Sequence, residues 1–247
     1  MKTNYNFKKF QKKHKNKINQ IIFSREKIGN KKIFLNLINN VLTKKDSFIF
    51  ESVEKGKIRG RYTIVGLKPD KIWELNKKKI LQIEKTKKKI IRKKPYPFLK
   101  NLIDKFNFNT PKDLPPMCSL LVGYFSYDII RYIEKIPNKA IDDLKIPDVK
   151  LIRPKNIIIY DNVKKDIFYI YNVFADEKIK NYKKYFQNLK KEIDELKTFT
   201  CENNKILPRT IKKNKINIKC NISKNVFLNN VKKAKKYIFN GDIFQVV

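Results

Sequence analysis

Histidine is nearly missing from this sequence. His14 is the only one, and it stands in a lysine-rich N-terminal stretch where a solvated side chain is the expectation. Both Ser/His/Asp and Cys/His mechanisms use a histidine as the general base. The chain as written therefore has no base available for either kind of nucleophilic catalysis.

Glycine, cysteine and long apolar runs are also scarce. The six glycines never fall into a GxGxxG or Walker A spacing, so a phosphate-cradling loop is not expected. Cys118, Cys201 and Cys220 lie far apart and outside any CxxC spacing, which predicts reduced thiols of a cytosolic protein. No apolar run reaches the roughly 18 residues that a membrane span needs. Residues 1–20 lack the apolar core of a secretory signal, and we expect a frayed, solvated basic tail there.

Lysine, in contrast, is abundant. The sequence has 59 Lys+Arg against 23 Asp+Glu, a formal net charge of +36, and such an excess is typical of proteins that bind nucleic acid or anionic membranes. The lysines are nevertheless spread through every segment, and Lys, Ile and Asn dominate while alanine is rare. A/T-rich coding produces this skew, so compositional drift is favoured, and a functional polyanion-binding surface stays open as the alternative.

The hydrophobic pattern predicts an α+β fold, because helical and β-prone segments follow one another without a regular βαβ order. Predicted helices are "IFLNLINNVL", "PFLKNLIDKF", "DEKIKNYKKYFQNLKKEIDELKTF" and "SKNVFLNNVKKAKKYIFN". Predicted strands are "IIFSREKI", "SFIFESV", "RYTIVGL", "KIWELN" and "KILQIEK", with a turn at "KPD". The segment "NIIIYDNVKKDIFYIYNVF" predicts a β-hairpin, and residues 242–247 predict a further strand after a helix stop at Asn240-Gly241.

Acidic residues gather once, at Glu192, Asp194 and Glu195, among the lysines of one predicted helix. Charges of opposite sign on one helix face are typical of a solvated ion-pair surface. We therefore interpret this cluster as an ion-pair face and not as a metal site.

The segment from residue 48 to residue 66, "FIFESVEKGKIRGRYTIVG", combines polar groups in a way that suggests a binding site. A β-run delivers Glu51 and Ser52 side by side, and a glycine-containing turn brings Arg59 and Arg61 back beside them. A carboxylate for an ammonium, a hydroxyl donor and a guanidinium for a carboxylate together complement an amino-acid zwitterion. The alternative is an ordinary hairpin with a cross-strand Glu to Arg pair.

The segment from residue 120 to residue 137, "LLVGYFSYDIIRYIEKIP", predicts a buried strand that runs into a helix. Gly123 among large apolar residues indicates a close backbone approach, and Asp128 is placed to cap the helix that follows. The aromatic residues could instead stack on nucleic-acid bases. A core strand is the favoured interpretation because the flanking residues are aliphatic; the aromatic residues are Tyr124, Phe125 and Tyr127.

Taken together, these segments resemble the large subunit, component I, of anthranilate synthase, a chorismate-utilising enzyme family. Three blocks match in order: "ESVEKGKIRGRYTIVG" is similar to the family's tryptophan-site hairpin, "LLVGYFSYDIIRYIEKIP" to its central strand and helix, and "VFLNNVKKAKKYIFNGDIFQVV" to the opening of its chorismate-binding domain. The last block is the most specific. The resemblance runs from about Ile21 to the last residue.

The resemblance implies the N-terminal part of the two-sheet α/β sandwich typical of component I, with mixed, mostly antiparallel strands and flanking helices. It implies a basic tail at 1–20, the N-terminal domain at 21–197, a linker at 198–223 and a truncated start of the chorismate-binding domain at 224–247. In the family, chorismate and ammonia from a glutamine amidotransferase subunit, component II, give anthranilate and pyruvate, with Mg²⁺ bound by acidic side chains. The histidine base and metal-binding glutamates belong to the C-terminal domain, so no catalytic or metal residue is carried over and this chain alone is expected to be inactive.

A regulatory site can be carried over. Ser52, with Glu51 beside it, matches the family's feedback site for tryptophan, and Arg61 falls near a basic position of that site. The rest of the tryptophan pocket is expected outside this chain, so weak binding or none is predicted for the chain alone. At Asp161-Asn162 the family often has an Asp-His pair, and the sequence offers no chemical explanation for the change.

Three hypotheses therefore stand. The leading one is the N-terminal portion of an anthranilate synthase large subunit, with tryptophan as effector. The second is a stand-alone effector-binding module, and the third is a basic nucleic-acid-binding protein, which strong, specific binding at high salt would favour.

Overall fold

The computed structural model describes residues 2–28, 40–41, 44–51, 60–76, 79–138, 141–201 and 219–246. The chain divides into two compact units, Met1–Ile206 and Leu207–Val247. Within the described ranges, no helix combines the length and the apolar character needed to cross a membrane.

The described part of the first unit is built mainly from a sheet. Its elements are β1 (Lys2–Thr3), α1 (Phe7–Lys15), β2 (Gln20–Lys27), β3 (Phe48–Glu51), β4 (Tyr62–Asn76), β5 (Lys79–Glu84), β6 (Lys87–Ile91), α2 (Pro95–Asp104), β7 (Val122–Phe125), a 3₁₀ helix (Tyr127–Tyr132), β8 (Val149–Asp161), β9 (Asp166–Val173) and α3 (Tyr182–Cys201). The strand order is β1-β2-β9-β8-β4-β5-β6, with β3 paired to β4 and β7 paired to β8. Every described pairing is antiparallel, which confirms the predicted α+β class with mostly antiparallel strands.

The long ladder between β4 and β8 forms the middle of the sheet. It runs from Tyr62 opposite Asp161 to Leu75 opposite Val149, so the two predicted strands "RYTIVGL" and "KIWELN" are one strand and the predicted turn at "KPD" is wrong. The register shifts where Pro69 lies opposite Pro154. Two facing prolines supply no N–H to the ladder, and such positions are tolerated at irregularities of this kind.

Both faces of the central strands are covered. Ile158 packs in one cluster with the apolar face of α3, and its neighbours Ile157 and Ile159 pack in a second cluster with Leu114. Successive side chains of a strand point to opposite faces, so this alternation buries β8 on both sides. The predicted hairpin is confirmed as β8 and β9, and the predicted apolar helix face is buried at Phe186, Leu189, Ile193 and Leu196.

The N-terminal residues do not form the solvated tail that we predicted. Helix α1 begins after Asn6, whose side chain accepts the Lys9 N–H, and it buries Phe10 and His14. The Phe10 ring packs at 5.1 Å from the Phe186 ring, centroid to centroid. The apolar stripe that anchors this helix was hidden by the surrounding lysines, which lie on its other faces.

The segment from 120 to 137 also differs from its prediction. Strand β7 is short and not a core strand, because Tyr124 and Phe125 are 38% and 50% exposed. Tyr127, which follows it, is 86% exposed. A 3₁₀ helix follows, and Asp128 binds Arg131 instead of capping it. The predicted close approach at Gly123 is confirmed, because a Cβ there would lie 1.8 Å from the Lys150 carbonyl oxygen.

The described part of the second unit is one helix, α4 (Lys224–Phe239). As predicted, Ser223 caps it by accepting the Val226 N–H, and Gly241 follows it with φ +80°. Residues 242–246 form no strand, so the predicted strand is wrong for these residues. Val247 lies outside the described residues.

Candidate functional site

The predicted effector hairpin is described only in part. Strand β3 pairs with β4 from Phe48 opposite Gly66 to Glu51 opposite Thr63. A Cβ at Gly66 would lie 2.0 Å from the Phe48 ring, so the glycine makes room for this aromatic side chain. Glu51 is exposed at the end of β3. Ser52 and Arg59 lie outside the described residues, so the predicted grouping of Glu51, Ser52 and the arginines stays a prediction.

Arg61 is held by an aspartate of the neighbouring strand β8, 100 residues further along the sequence. Its Nη2 lies 2.7 Å from Oδ2 of Asp161, and its Nε lies 3.1 and 3.2 Å from the two carboxylate oxygens. The side chains are 27% and 3% exposed, respectively. The guanidinium carbon also lies 4.9 Å from the centre of the Tyr62 ring. The cationic group of the predicted site is thus fixed from the β8 side of the sheet and not by Glu51.

Asp161 also organises the turn between β8 and β9. Its Oδ1 accepts the N–H groups of Val163 and Lys164, each at 3.0 Å. Burial alone raises the pKa of Asp161, but the bonds from Arg61 and these two N–H groups reverse the effect and hold the pKa below its usual range. The Asn162 N–H donates to the Arg61 carbonyl at 2.8 Å. The sequence offered no chemical explanation for Asp161-Asn162. In the structure, these two residues connect the β8–β9 turn to Arg61, just before β4.

A second arginine cluster lies on the same ladder and was missed in the sequence. Arg153 Nη2 lies 2.5 Å from Asp70 Oδ2 and 3.1 Å from Asp176 Oδ1, and the Arg153 side chain is only 8% exposed. Its guanidinium carbon lies 3.8 Å from the centre of the Phe174 ring and 5.7 Å from that of Trp73. These residues come from three separate segments, which are β4, β8 and the stretch after β9, so no short motif could have revealed them.

The single histidine is part of the scaffold. His14 is 3% exposed, and its Nδ1 lies 3.0 Å from the Tyr182 hydroxyl. Burial lowers the pKa of His14, which favours the neutral imidazole. The predicted solvated side chain is therefore wrong, because Phe10 and Tyr182 pack against it.

The acidic cluster on α3 is an ion-pair face, as predicted, although its main partner comes from another element. Lys68 of β4 lies 2.6 Å from Glu192 and 3.2 Å from Glu195. Lys197 lies 3.1 Å from Asp194 on the same helix. Among the residues that the structure describes, no three or more His, Cys, Asp or Glu side chains form a group that could hold a metal ion.

The described cysteines are free thiols. Cys118 is buried and Cys220 is exposed. Burial raises the pKa of the Cys118 thiol, so this side chain is a core residue and not an activated nucleophile. The side chain of Cys201 lies outside the described residues.

Known proteins resemble the chain along most of its length. The chorismate binding enzyme family matches residues 45–247. Anthranilate synthase component 1 of Acetivibrio thermocellus is 35% identical over 205 residues, which cover 81% of this chain and 41% of that protein. The protein of the same name from Cereibacter sphaeroides is 29% identical over 250 residues, covering 98% and 49%. Anthranilate synthase alpha subunit 1, chloroplastic, of Arabidopsis thaliana is 29% identical over 224 residues, covering 81% and 37%.

A solved structure shares the fold. The crystal structure of anthranilate synthase component I from Streptococcus pneumoniae TIGR4 matches with a TM-score of 0.55 and 19% identity, over 88% of this chain and 46% of that one. The chain thus spans less than half the length of the relatives that it matches. Because the family match extends over most of the sequence, the chain belongs to the chorismate binding enzyme family, among relatives that are anthranilate synthase component 1 proteins.

Proposed function

We propose that the chain forms the N-terminal portion of an anthranilate synthase large subunit. The complete enzyme would convert chorismate and ammonia to anthranilate and pyruvate for tryptophan biosynthesis, in the cytoplasm. Component II, a glutamine amidotransferase subunit, would supply the ammonia. The observation that carries this proposal is the family match over residues 45–247, together with relatives of this name that align along 81% or more of the chain.

The role proposed for this chain is structural and regulatory. The described residues bring together no ligand set for the Mg²⁺ that the family uses, so we derive no catalytic step through the metal. The only histidine is packed under Tyr182, where it cannot meet a substrate. We therefore expect the chain by itself to form no anthranilate.

Tryptophan is the proposed effector, at Glu51, Ser52 and Arg61. Support comes from the position of Glu51, which is exposed opposite Thr63, two residues from Arg61. Arg61 donates to Asp161 through Nε and Nη2. A guanidinium has five N–H donors, so the remaining N–H groups of Arg61 can still donate to the carboxylate of a ligand. In this proposal Asp161 positions Arg61, and Glu51 receives the ammonium of the amino acid.

A chimaera tests the enzyme and the effector site together. In it, this chain replaces the matched segment of the Acetivibrio thermocellus relative. We expect the chimaera to form anthranilate from chorismate, Mg²⁺ and ammonium, measured by anthranilate fluorescence, while the 247-residue chain alone forms none. Tryptophan should inhibit the chimaera.

The effector residues are tested within that chimaera. Ser52→Ala or Glu51→Gln should weaken inhibition by tryptophan about tenfold or more, since a lost partner leaves a polar group unpaired. The matched control Ser126→Ala, a serine of another segment, should leave inhibition unchanged. A chimaera that unfolds cooperatively yet makes no anthranilate contradicts the proposed function. If the chimaera is active and tryptophan inhibits it equally with and without the Ser52→Ala and Glu51→Gln substitutions, only the effector site is contradicted.

A further inference from the structure

A cavity of about 740 Å³ opens between helix α2 and one end of the β4–β8 ladder. Its wall contains four aromatic side chains, which are Trp73, Phe98, Phe106 and Phe174. Trp73 and Phe174 are almost fully buried, and Trp73 Nε1 donates to Gln82 at 2.8 Å, so this part of the wall is fixed. Cavities of roughly 300 to 1,000 Å³ with aromatic walls and a few polar groups are typical of small-molecule sites.

The charges around this cavity are almost all positive. Six cationic side chains line it, and Asp176 is the only carboxylate among the lining residues. Four of the lysines are exposed at the opening and have no ion-pair partner within the described part of the chain; they are Lys17, Lys93, Lys94 and Lys105. They come from the turn after α1 and from both ends of α2, so they surround the opening and do not belong to one sequence run.

The single lining carboxylate is already engaged. Asp176 accepts bonds from Lys71 at 2.7 Å and from Arg153 at 3.1 and 3.2 Å. These bonds hold the pKa of Asp176 below its usual range against the effect of burial. A ligand with a free ammonium group would therefore meet four unpaired lysines and no free carboxylate, whereas an anion would meet favourable charge.

We propose that this cavity binds a small organic anion with a flat ring. The ring packs against Phe98 and Phe106, the half-buried aromatic side chains of the wall, and the anionic group is bound by the lysines at the opening. The amide side chain of Asn101, which also lines the cavity, adds hydrogen-bonding groups. This proposal concerns a site at the opposite end of the ladder from Arg61 and does not depend on the proposed enzyme function.

The chain has a built-in probe for this site, because Trp73 is its only tryptophan. Phenyl phosphate carries both a ring and a charge, inorganic phosphate carries only the charge, and phenol carries only the ring. The test is to measure the binding of each compound to the 247-residue chain by Trp73 emission and by calorimetry, at low and at high salt. Phenyl phosphate should bind at least about tenfold more tightly than either of the others, because only it uses both the apolar wall and the lysines. Its affinity should fall with salt.

Two double variants that remove the same number of charges test whether phenyl phosphate binds at the cavity opening. Lys93→Gln/Lys94→Gln removes two lysines of the opening, and Lys87→Gln/Lys89→Gln removes two exposed lysines of β6 that do not line the cavity. The first should weaken phenyl phosphate binding about tenfold and the second by less than about twofold. Circular dichroism should show that both remain folded, since all four positions are exposed.

Several results would overturn the proposal. Equal affinity for phenyl phosphate and inorganic phosphate would show that the ring is not recognised. Equal weakening in the two double variants would assign the binding to the overall charge of +36. The absence of both a heat signal and an emission change at millimolar phenyl phosphate would show that the cavity does not take this class of ligand.

Discussion

Two arginines lie near opposite ends of the β4–β8 ladder, and each pairs with aspartate beside an aromatic ring. Arg61 faces Asp161 and Tyr62, whereas Arg153 faces Asp70 and Asp176 between Phe174 and Trp73. Arg61 keeps about a quarter of its side chain exposed, but Arg153 keeps less than a tenth. The same kind of ion pair therefore sits in two different environments within one sheet.

The difference in burial and in additional partners leads us to expect different losses of stability when each ion pair is broken. Asp161 is also bonded to the N–H groups of Val163 and Lys164, so it stays satisfied if Arg61 is lost. Asp70 is bonded through its carboxylate to Arg153 and is largely buried. Removing one partner from a buried pair leaves an uncompensated charge, which costs more than the pair itself contributes.

The largest effect is expected for Arg153→Met. The variant keeps much of the apolar stem but leaves Asp70 and Asp176 without their guanidinium, and we expect the free energy of unfolding to fall by about 3 kcal/mol. Urea unfolding measures this. The double variant Asp70→Asn/Arg153→Met removes the stranded charge and should recover part of the loss. A double variant that is less stable than Arg153→Met would contradict the explanation.

Asp161→Ala should cost less, about 2 kcal/mol, because the turn N–H groups that it leaves can partly be hydrated. Asp161→Asn keeps an acceptor for the turn and should retain about half of that stability. The same urea experiment measures both. If Asp161→Ala proves more destabilising than Arg153→Met, the two ends of the ladder do not differ in the way that burial predicts.

A smaller effect is expected for Arg61→Ala. Its partner Asp161 remains bonded to the turn, and the guanidinium itself is partly hydrated, so the loss should be clearly below that of Asp161→Ala. High salt should reduce the difference between the parent chain and this variant, and should not do so for Arg153→Met. A salt-independent difference for Arg61→Ala would place this pair in the same class as Arg153.

Local patterns in the sequence predicted much of the fold. The alternation in "NIIIYDNVKKDIFYIYNVF" predicted the β8–β9 hairpin, and the apolar spacing from Phe186 to Leu196 predicted the buried face of α3. The cap at Ser223 was also correct. Each of these signals is contained in about twenty residues or fewer, which is the range over which periodicity and capping act.

The features that were missed depend on partners far along the chain. Arg61 and Asp161 are 100 residues apart, and Arg153 and Asp70 are 83 apart. Helix α1 looked like a tail because its lysines outnumber the residues that pack on α3. Nothing local distinguishes a lysine at the cavity opening from the other lysines of so basic a chain, so the cavity could be found only once the strands were paired.

The smallest effect concerns acid pH, where the two ends of the ladder should behave in opposite ways. The pKa of Asp161 is below its unfolded value, which is about 3.9, so its ionised form stabilises the fold at higher pH and this contribution is lost as the pH falls through the folded pKa. Burial raises the pKa of Asp70, and the bonds from Arg153 offset this only in part, so Asp70 contributes its stability at low pH and loses it as the pH rises. Between pH 7 and pH 3, the stability difference between the parent chain and Asp161→Asn should therefore shrink. The difference between the parent chain and Asp70→Asn should change in the opposite direction. Urea unfolding at several pH values measures both slopes, and parallel slopes would show that burial does not separate the two aspartates.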